Sequence, residues 1–151
     1  MHPRIVMGLR LLFGLHFLLN GLNFFFHFFN VPAPANPLAT QFMRAMVDTG
    51  VIFTAVKLTE VTTGALLLAN LFVPLALMAA LPVSLNVFFV DVFLIGTWFG
   101  GYVLGGGTLL LNVLLLLAYL KYYRPMLVLH AELADAGTAH AKRPRQSAEA
   151  R

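Results

Sequence analysis

Lys57 and Glu60 stand three residues apart in "VKLTEVTTG", with Gly64 a further turn along. On a helix all three share a face. An ammonium and a carboxylate one turn apart inside an apolar run can neutralise each other, pass a proton between them, or mark the path of a polar solute. A second stretch, "NVFFVDVFL" from Asn86 to Leu94, sets Asp91 among aromatic and aliphatic residues. A third set, His16, Asn20, Asn23 and His27, recurs at i, i+4, i+7 and i+11 and draws one stripe down a helix. Thr108, Asn112 and Tyr119 are spaced i, i+4 and i+11, and Ser84 shares a face with Asp91. Such groups can hydrogen-bond a carbonyl and move protons. Each set also has a purely structural reading: the stripe bonds neighbouring helices, the charge pair neutralises itself, and Asp91 is hydrated near an interface.

Two kinds of chemistry are removed at once. The chain has no cysteine, so disulfides, thiolate metal ligation and thiol redox chemistry are not available to it. Histidines at membrane depth occur in the first apolar run only, which disfavours a haem held between facing helices, and no metal site is expected. A redox role would need a bound molecule or a partner.

These residues must be positioned by apolar elements. Of 151 residues, 60% are hydrophobic and 11% charged, against about a quarter charged in an average soluble domain. Polar surface is too scarce to cover a water-soluble fold, and lipid is the solvent that removes the penalty. Four runs reach the length of about 20 residues that a spanning helix needs: roughly 5–29, 50–69, 73–95 and 102–123. The first is too long for a signal-peptide core, although Ala33-Pro34-Ala35 imitates a cleavage site. The expected fold is all-α, an integral membrane four-helix bundle in which residues 1–125 form the four-span domain.

Between the first two runs, Pro32, Pro34 and Pro37 interrupt any helix. Beyond them Leu38, Phe42, Met43, Met46 and Val47 recur at helical spacing, which predicts a short interfacial helix over the bundle mouth. "ANLFVP" is so short that runs two and three must be antiparallel neighbours, and "GTWFGGYVLGGG" reads as an uncharged loop before the fourth. The net charge of +4 is not an interleaved patch and does not suggest nucleic acid. Arg4, Arg10, Lys121, Arg124 and the basic tail lie at the ends, which by the positive-inside rule puts both termini in the cytoplasm. The tail, 126–151, is expected to be largely disordered.

Depth gathers the polar groups. With a rise of about 1.5 Å per residue, Glu60, Asn86 and Asn112 fall within about 5 Å of the midplane, and Asn20, Asn23, Lys57 and Asp91 within about 10 Å on the outer side. The sequence thus predicts a polar intramembrane pocket of Asn20, Asn23, Lys57, Glu60, Asn86, Asp91 and Asn112, with His16 and His27 as additional members. Within it Asp91 is expected to be the counter-charge of Lys57. Gly14 and Gly21, seven apart, would let another helix approach closely.

The pieces "GLNFFFHFF", "KLTEVTTGALLLANLFVPLAL" and "LPVSLNVFFVDVFL" resemble the DoxX family of small bacterial four-helix membrane proteins, over roughly the first 125 residues. Asn23, Glu60, Gly64, Pro74, Pro82 and Asn86 match positions that the family pattern specifies. The chain departs from it at Asp91, where many members have histidine, and at Leu71, where arginine is frequent. The resemblance implies a multi-pass protein of the bacterial inner membrane with a redox connection. It would be an accessory or quinone-interacting subunit without catalytic activity of its own. Its partners would be the lipid bilayer, a membrane or soluble oxidoreductase subunit, and further copies of itself. Quinone is the one cofactor this suggests. A carrier for a small or lipid-like solute and an assembly factor without chemistry stay open beside it.

Overall fold

The computed structural model describes residues 2–31 and 33–127, and every regular element among them is helical. The tail expected at 126–151 lies outside the described residues from 128 onward. Helix α1 (Pro3–Phe26) starts on a proline, whose missing N–H costs nothing in the first turn, and the His2 ring accepts from the Arg4 amide. It ends earlier than the apolar run suggests. His27 takes left-handed dihedrals (φ 54°), and the Asn23 amide clamps the Phe29 backbone, donating to its carbonyl at 3.0 Å and accepting from its N–H at 2.8 Å. The chain therefore leaves the helix axis before the run of phenylalanines is complete.

A short helix, α2 (Pro37–Asp48), follows and turns by 86° into α3 (Ile52–Leu68). A tight turn with left-handed Asn70 and Phe72 leads to α4 (Val73–Phe89), which continues as a π-helical segment over Val90–Ile95. Gly96 and Thr97 alone connect it to a second π segment, Trp98–Gly106, which runs into α5 (Gly107–Ala118). A final turn, α6 (Leu120–Tyr123), closes the described chain with a 3-10 turn over Arg124–Met126. The stretch expected to be a glycine-rich loop is thus mostly helix. Two of its glycines serve contact, since a β-carbon at Gly101 would meet the Asp91 carbonyl oxygen at 2.6 Å and one at Gly105 would collide with the Asp91 β-carbon. The two π segments can pack this closely only because those positions carry no side chain.

Helices α1, α3, α4 and α5 form a closed ring in which each touches the next and α5 returns to α1. Phe13, Phe17, Leu67, Leu77 and Leu115 fill its centre. The α1–α3 crossing is the closest. Gly14 and Gly21 lie on it as their spacing suggests, opposite Gly64 and Val61. Leu12, Leu19, Leu75, Phe93, Leu110 and Leu117 stand exposed around the outside, far more apolar surface than a water-soluble monomer displays. Three helical stretches are long and apolar enough to cross a membrane, Pro3–Phe26, Val73–Ile95 and Trp98–Ala118, and the bent α2–α3 pair makes a fourth candidate. Alone, the 17 residues of α3 extend about 25 Å, a little short of a typical hydrocarbon core.

The end of the ring that holds the start of α1 and the α3–α4 turn is tied by polar side chains. The Arg10 guanidinium donates to the Asn70 side-chain oxygen, and the Tyr123 hydroxyl donates to the Pro74 carbonyl at 2.8 Å. Arg10 is a basic flank in the sequence, but it lies two turns inside α1 and is only 8% exposed. From there its long side chain bridges to the turn instead of reaching solvent.

Candidate functional site: a lidded cavity at one end of the bundle

The opposite end of the ring encloses a cavity of about 730 Å³. Each helix contributes the half nearest that end. His16 and Asn20 come from α1, Lys57 and Glu60 from α3, Asn86 and Asp91 from α4 and its π extension, and Thr108 from α5. Four antiparallel neighbours bring these parts to one level, which is why groups far apart in sequence share a single space. The walls are apolar, with Phe53, Val56, Val87, Val90 and Leu104 among them.

Helix α2 covers the mouth, with Met43 and Met46 facing inward and Ala39 fully buried. Asn36 holds it there. Its side-chain oxygen caps the helix by accepting from the Leu38 amide at 2.9 Å, and its amide donates to the Leu94 carbonyl at 2.7 Å. One residue therefore both starts the helix and ties the cover to the π segment of α4. An asparagine before Pro37 is a legible helix start, whereas its second bond depends on how α4 ends.

The charged pair of α3 is closed on itself. Lys57 Nζ lies 2.8 Å from Glu60 Oε2, with Lys57 15% and Glu60 5% exposed at the side chain. The ammonium also sits 5.1 Å from the centre of the Phe53 ring, within range of a cation–π attraction. Asp91 forms no ion pair with Lys57 among the described residues. The sequence expected that pairing, but Glu60 lies on the same helix one turn away and reaches the ammonium first. The Asp91 side chain instead rests against Gly105 and borders the cavity with no side-chain hydrogen bond among the described residues.

His16 belongs to a chain of hydrogen bonds between α1 and α5. Thr108 Oγ1 donates to the Leu104 carbonyl at 2.6 Å and lies 3.2 Å from His16 Nε2. The Asn20 side-chain nitrogen lies 2.9 Å from the His16 carbonyl and 3.2 Å from His16 Nδ1. One arrangement of protons satisfies every contact: a neutral ring with its proton on Nε2, donating to Thr108 and accepting from Asn20. Both hydrogens of the Asn20 amide are then used.

Of the nine residues expected at the pocket, His16, Asn20, Lys57, Glu60, Asn86 and Asp91 line this cavity, and Asn23, His27 and Asn112 do not. Asn23 is spent on the Phe29 clamp. His27, just past the end of α1, turns outward and is exposed. Asn112 is fully buried one turn beyond Thr108, where its amide faces the Leu77 carbonyl at 3.5 Å and its oxygen has no partner among the described residues. The sequence reading passed over Met43, Met46 and Phe53 as site residues, because an apolar wall carries no signal distinct from lipid-facing surface. Among the described residues, no three of His, Asp or Glu gather as a metal-holding group.

No protein-family model matches the chain, and neither the curated proteins nor the solved structures give a match.

Proposed function

We propose that this chain is a multi-pass protein of a bacterial inner membrane, a four-span bundle with both termini cytoplasmic. Its outward cavity holds a quinone-type amphiphile as an accessory subunit of a membrane redox system. The observation that carries the reading is the mixed lining of the cavity. Hydrogen-bonding side chains such as His16, Glu60 and Asp91 share it with aliphatic and aromatic ones, and its volume of about 730 Å³ lies within the range usual for small-molecule sites. A ring bearing two oxygens and an apolar tail suits both. The resemblance of its motifs to those of the DoxX family is what suggests the redox connection. In this reading α2 lies in the outer interface with Leu38 and Phe42, both exposed, directed into lipid.

Binding tests the reading directly. Purified protein in lipid nanodiscs should bind decylubiquinone saturably, and Val87→Trp, which fills the cavity from an apolar wall, should abolish that binding. Absence of saturable binding by the unaltered protein would refute the quinone reading. A phospholipid or other solute that co-purifies stoichiometrically and is displaced by Val87→Trp would instead favour a carrier.

Topology has its own check. Reporter fusions at Arg151 and within residues 33–37 should report opposite sides of the membrane. The same side for both would sink the four-span arrangement.

A further inference from the structure

The end of the bundle opposite the cavity holds a buried charge with no counter-charge among the described residues. Arg10 lies about 10 Å along α1 from its start and is only 8% exposed. A guanidinium keeps its charge on burial and offers five N–H donors. Among the described residues its one hydrogen-bond partner is the Asn70 side-chain oxygen, which is neutral, and its buried Nε has none. The acidic side chains of the described residues all belong to the other end: Glu60 and Asp91 line the cavity, and Asp48 ends the cover helix. More cations gather where these are missing. Arg4 stands on the first turn of α1, and Lys121 and Arg124 flank Tyr123, whose hydroxyl is fastened to the Pro74 carbonyl. A buried charge left without its opposite is costly, and an anion brought to it gains correspondingly.

The surroundings of Arg10 indicate which anion. Its head is turned to the α3–α4 turn, where Asn70 is exposed and its side-chain amide donates to nothing among the described residues. Helix α4 starts three residues further on with no side chain capping its first amides, which adds the partial positive charge of a helix N-terminus. A turn between two spans lies at the depth of lipid headgroups. Leu71 and Phe72, exposed on the same turn, offer apolar contact beside the polar one.

We propose that the Arg10–Asn70 corner binds a phosphate-type oxyanion, supplied in the membrane by the headgroup of an anionic phospholipid. Arg10 contributes the charge and its spare N–H groups, whose fork matches phosphate oxygens, and the Asn70 amide adds a further donor. The proposed topology puts this corner in the inner leaflet, where basic pockets between spans suit anionic heads. The site is separate from the cavity and does not depend on what the cavity holds.

Native mass spectrometry of the full chain, released from micelles doped with phosphatidylglycerol and phosphatidylcholine of the same acyl chains, makes the test. One phosphatidylglycerol per chain should be retained with about ten-fold preference or better, the size of one charge-assisted hydrogen bond. Arg10→Gln should abolish the preference, whereas Arg4→Gln, at an exposed cation of the same end, should keep it. Asn70→Asp covers the case in which Arg10→Gln does not fold. Its built-in carboxylate should take the place of the lipid, so that the preference disappears while the protein unfolds later in phosphatidylcholine micelles. Inorganic phosphate separates the two sources of the oxyanion: it should leave the bound phosphatidylglycerol in place, and full displacement would keep the site but overturn the lipid as its occupant. Equal retention of both lipids by the unaltered protein, or equal losses in Arg4→Gln and Arg10→Gln, would overturn the site and leave only diffuse attraction to a basic surface. A preference unmoved by Asn70→Asp would overturn it as well.

Discussion

Replacing Lys57 by Met or Glu60 by Leu should each destabilise the protein by about 3–5 kcal/mol, and the double replacement should recover most of that loss. The pair is short and little exposed, with 2.8 Å between Nζ and Oε2, so either single change strands a charge beside apolar walls. Replacing both removes the charges together and leaves side chains of similar volume. The companion cycle on Lys57 and Asp91 should show much weaker coupling, because no ion pair joins them and Asp91 keeps its place against Gly105. Unfolding in mixed detergent micelles, titrated with a denaturing detergent, measures all of these variants. Strictly additive losses for Lys57 and Glu60 would show that the pair contributes nothing beyond two independent side chains.

The second large effect is expected at Gly64, and it is steric. A β-carbon there would lie 2.5 Å from the Leu18 backbone nitrogen and 2.8 Å from the Gly14 carbonyl oxygen. Both neighbours are main chain of α1, so no rotamer change can make room and the helices must part. Gly64→Ala should cost about 1–3 kcal/mol as an overpacking change, and Gly64→Leu should leave little folded protein. Gly8 is the control. Nothing lies within 4 Å of a β-carbon built on it, so Gly8→Ala should be neutral or stabilising by up to about 1 kcal/mol through helix propensity. Equal tolerance at Gly64 and Gly8 under the same unfolding titration would contradict the close crossing.

Periodicity and composition carried much of this architecture. The all-helical class, the apolar stretches, the α2 segment after Pro37 and a close glycine approach on α1 all follow from spacing, because each repeats one physical requirement along a single element. The six cavity residues were legible for the same reason: a polar side chain in an apolar run stands out, and antiparallel neighbours align equal depths. The failures concern interactions between elements, or local geometry that overrides a period. Asn23 fits its stripe by number but is taken by a clamp on Phe29, and that clamp puts His27 outside the helix. Lys57 was assigned to Asp91 by depth, when Glu60 on its own helix was nearer. The glycines from Gly100 to Gly107 resembled a loop because glycine disfavours helix. The purpose of two of them, Gly101 and Gly105, is to let Trp98–Gly106 lie against the Asp91 turn, and it shows only when the two segments are placed side by side.

The walls of the cavity also differ mechanically. On one side α1 and α3 come close through Gly14, Gly21 and Gly64, with main chain of each helix against the other, a joint with little room to rearrange and hence little compliance. On the other, α4 and α5 approach the cavity as π segments, Val90–Ile95 and Trp98–Gly106, whose wider turns are rarely sustained and hold one residue more than an α-helix needs. Shifting that surplus residue along the axis rotates the side chains between its old and new positions without breaking the helix. The bundle is in effect a fixed jaw facing an adjustable one. Because Asn36 fastens the cover to the Leu94 carbonyl, a shift of the backbone there would carry the cover with it.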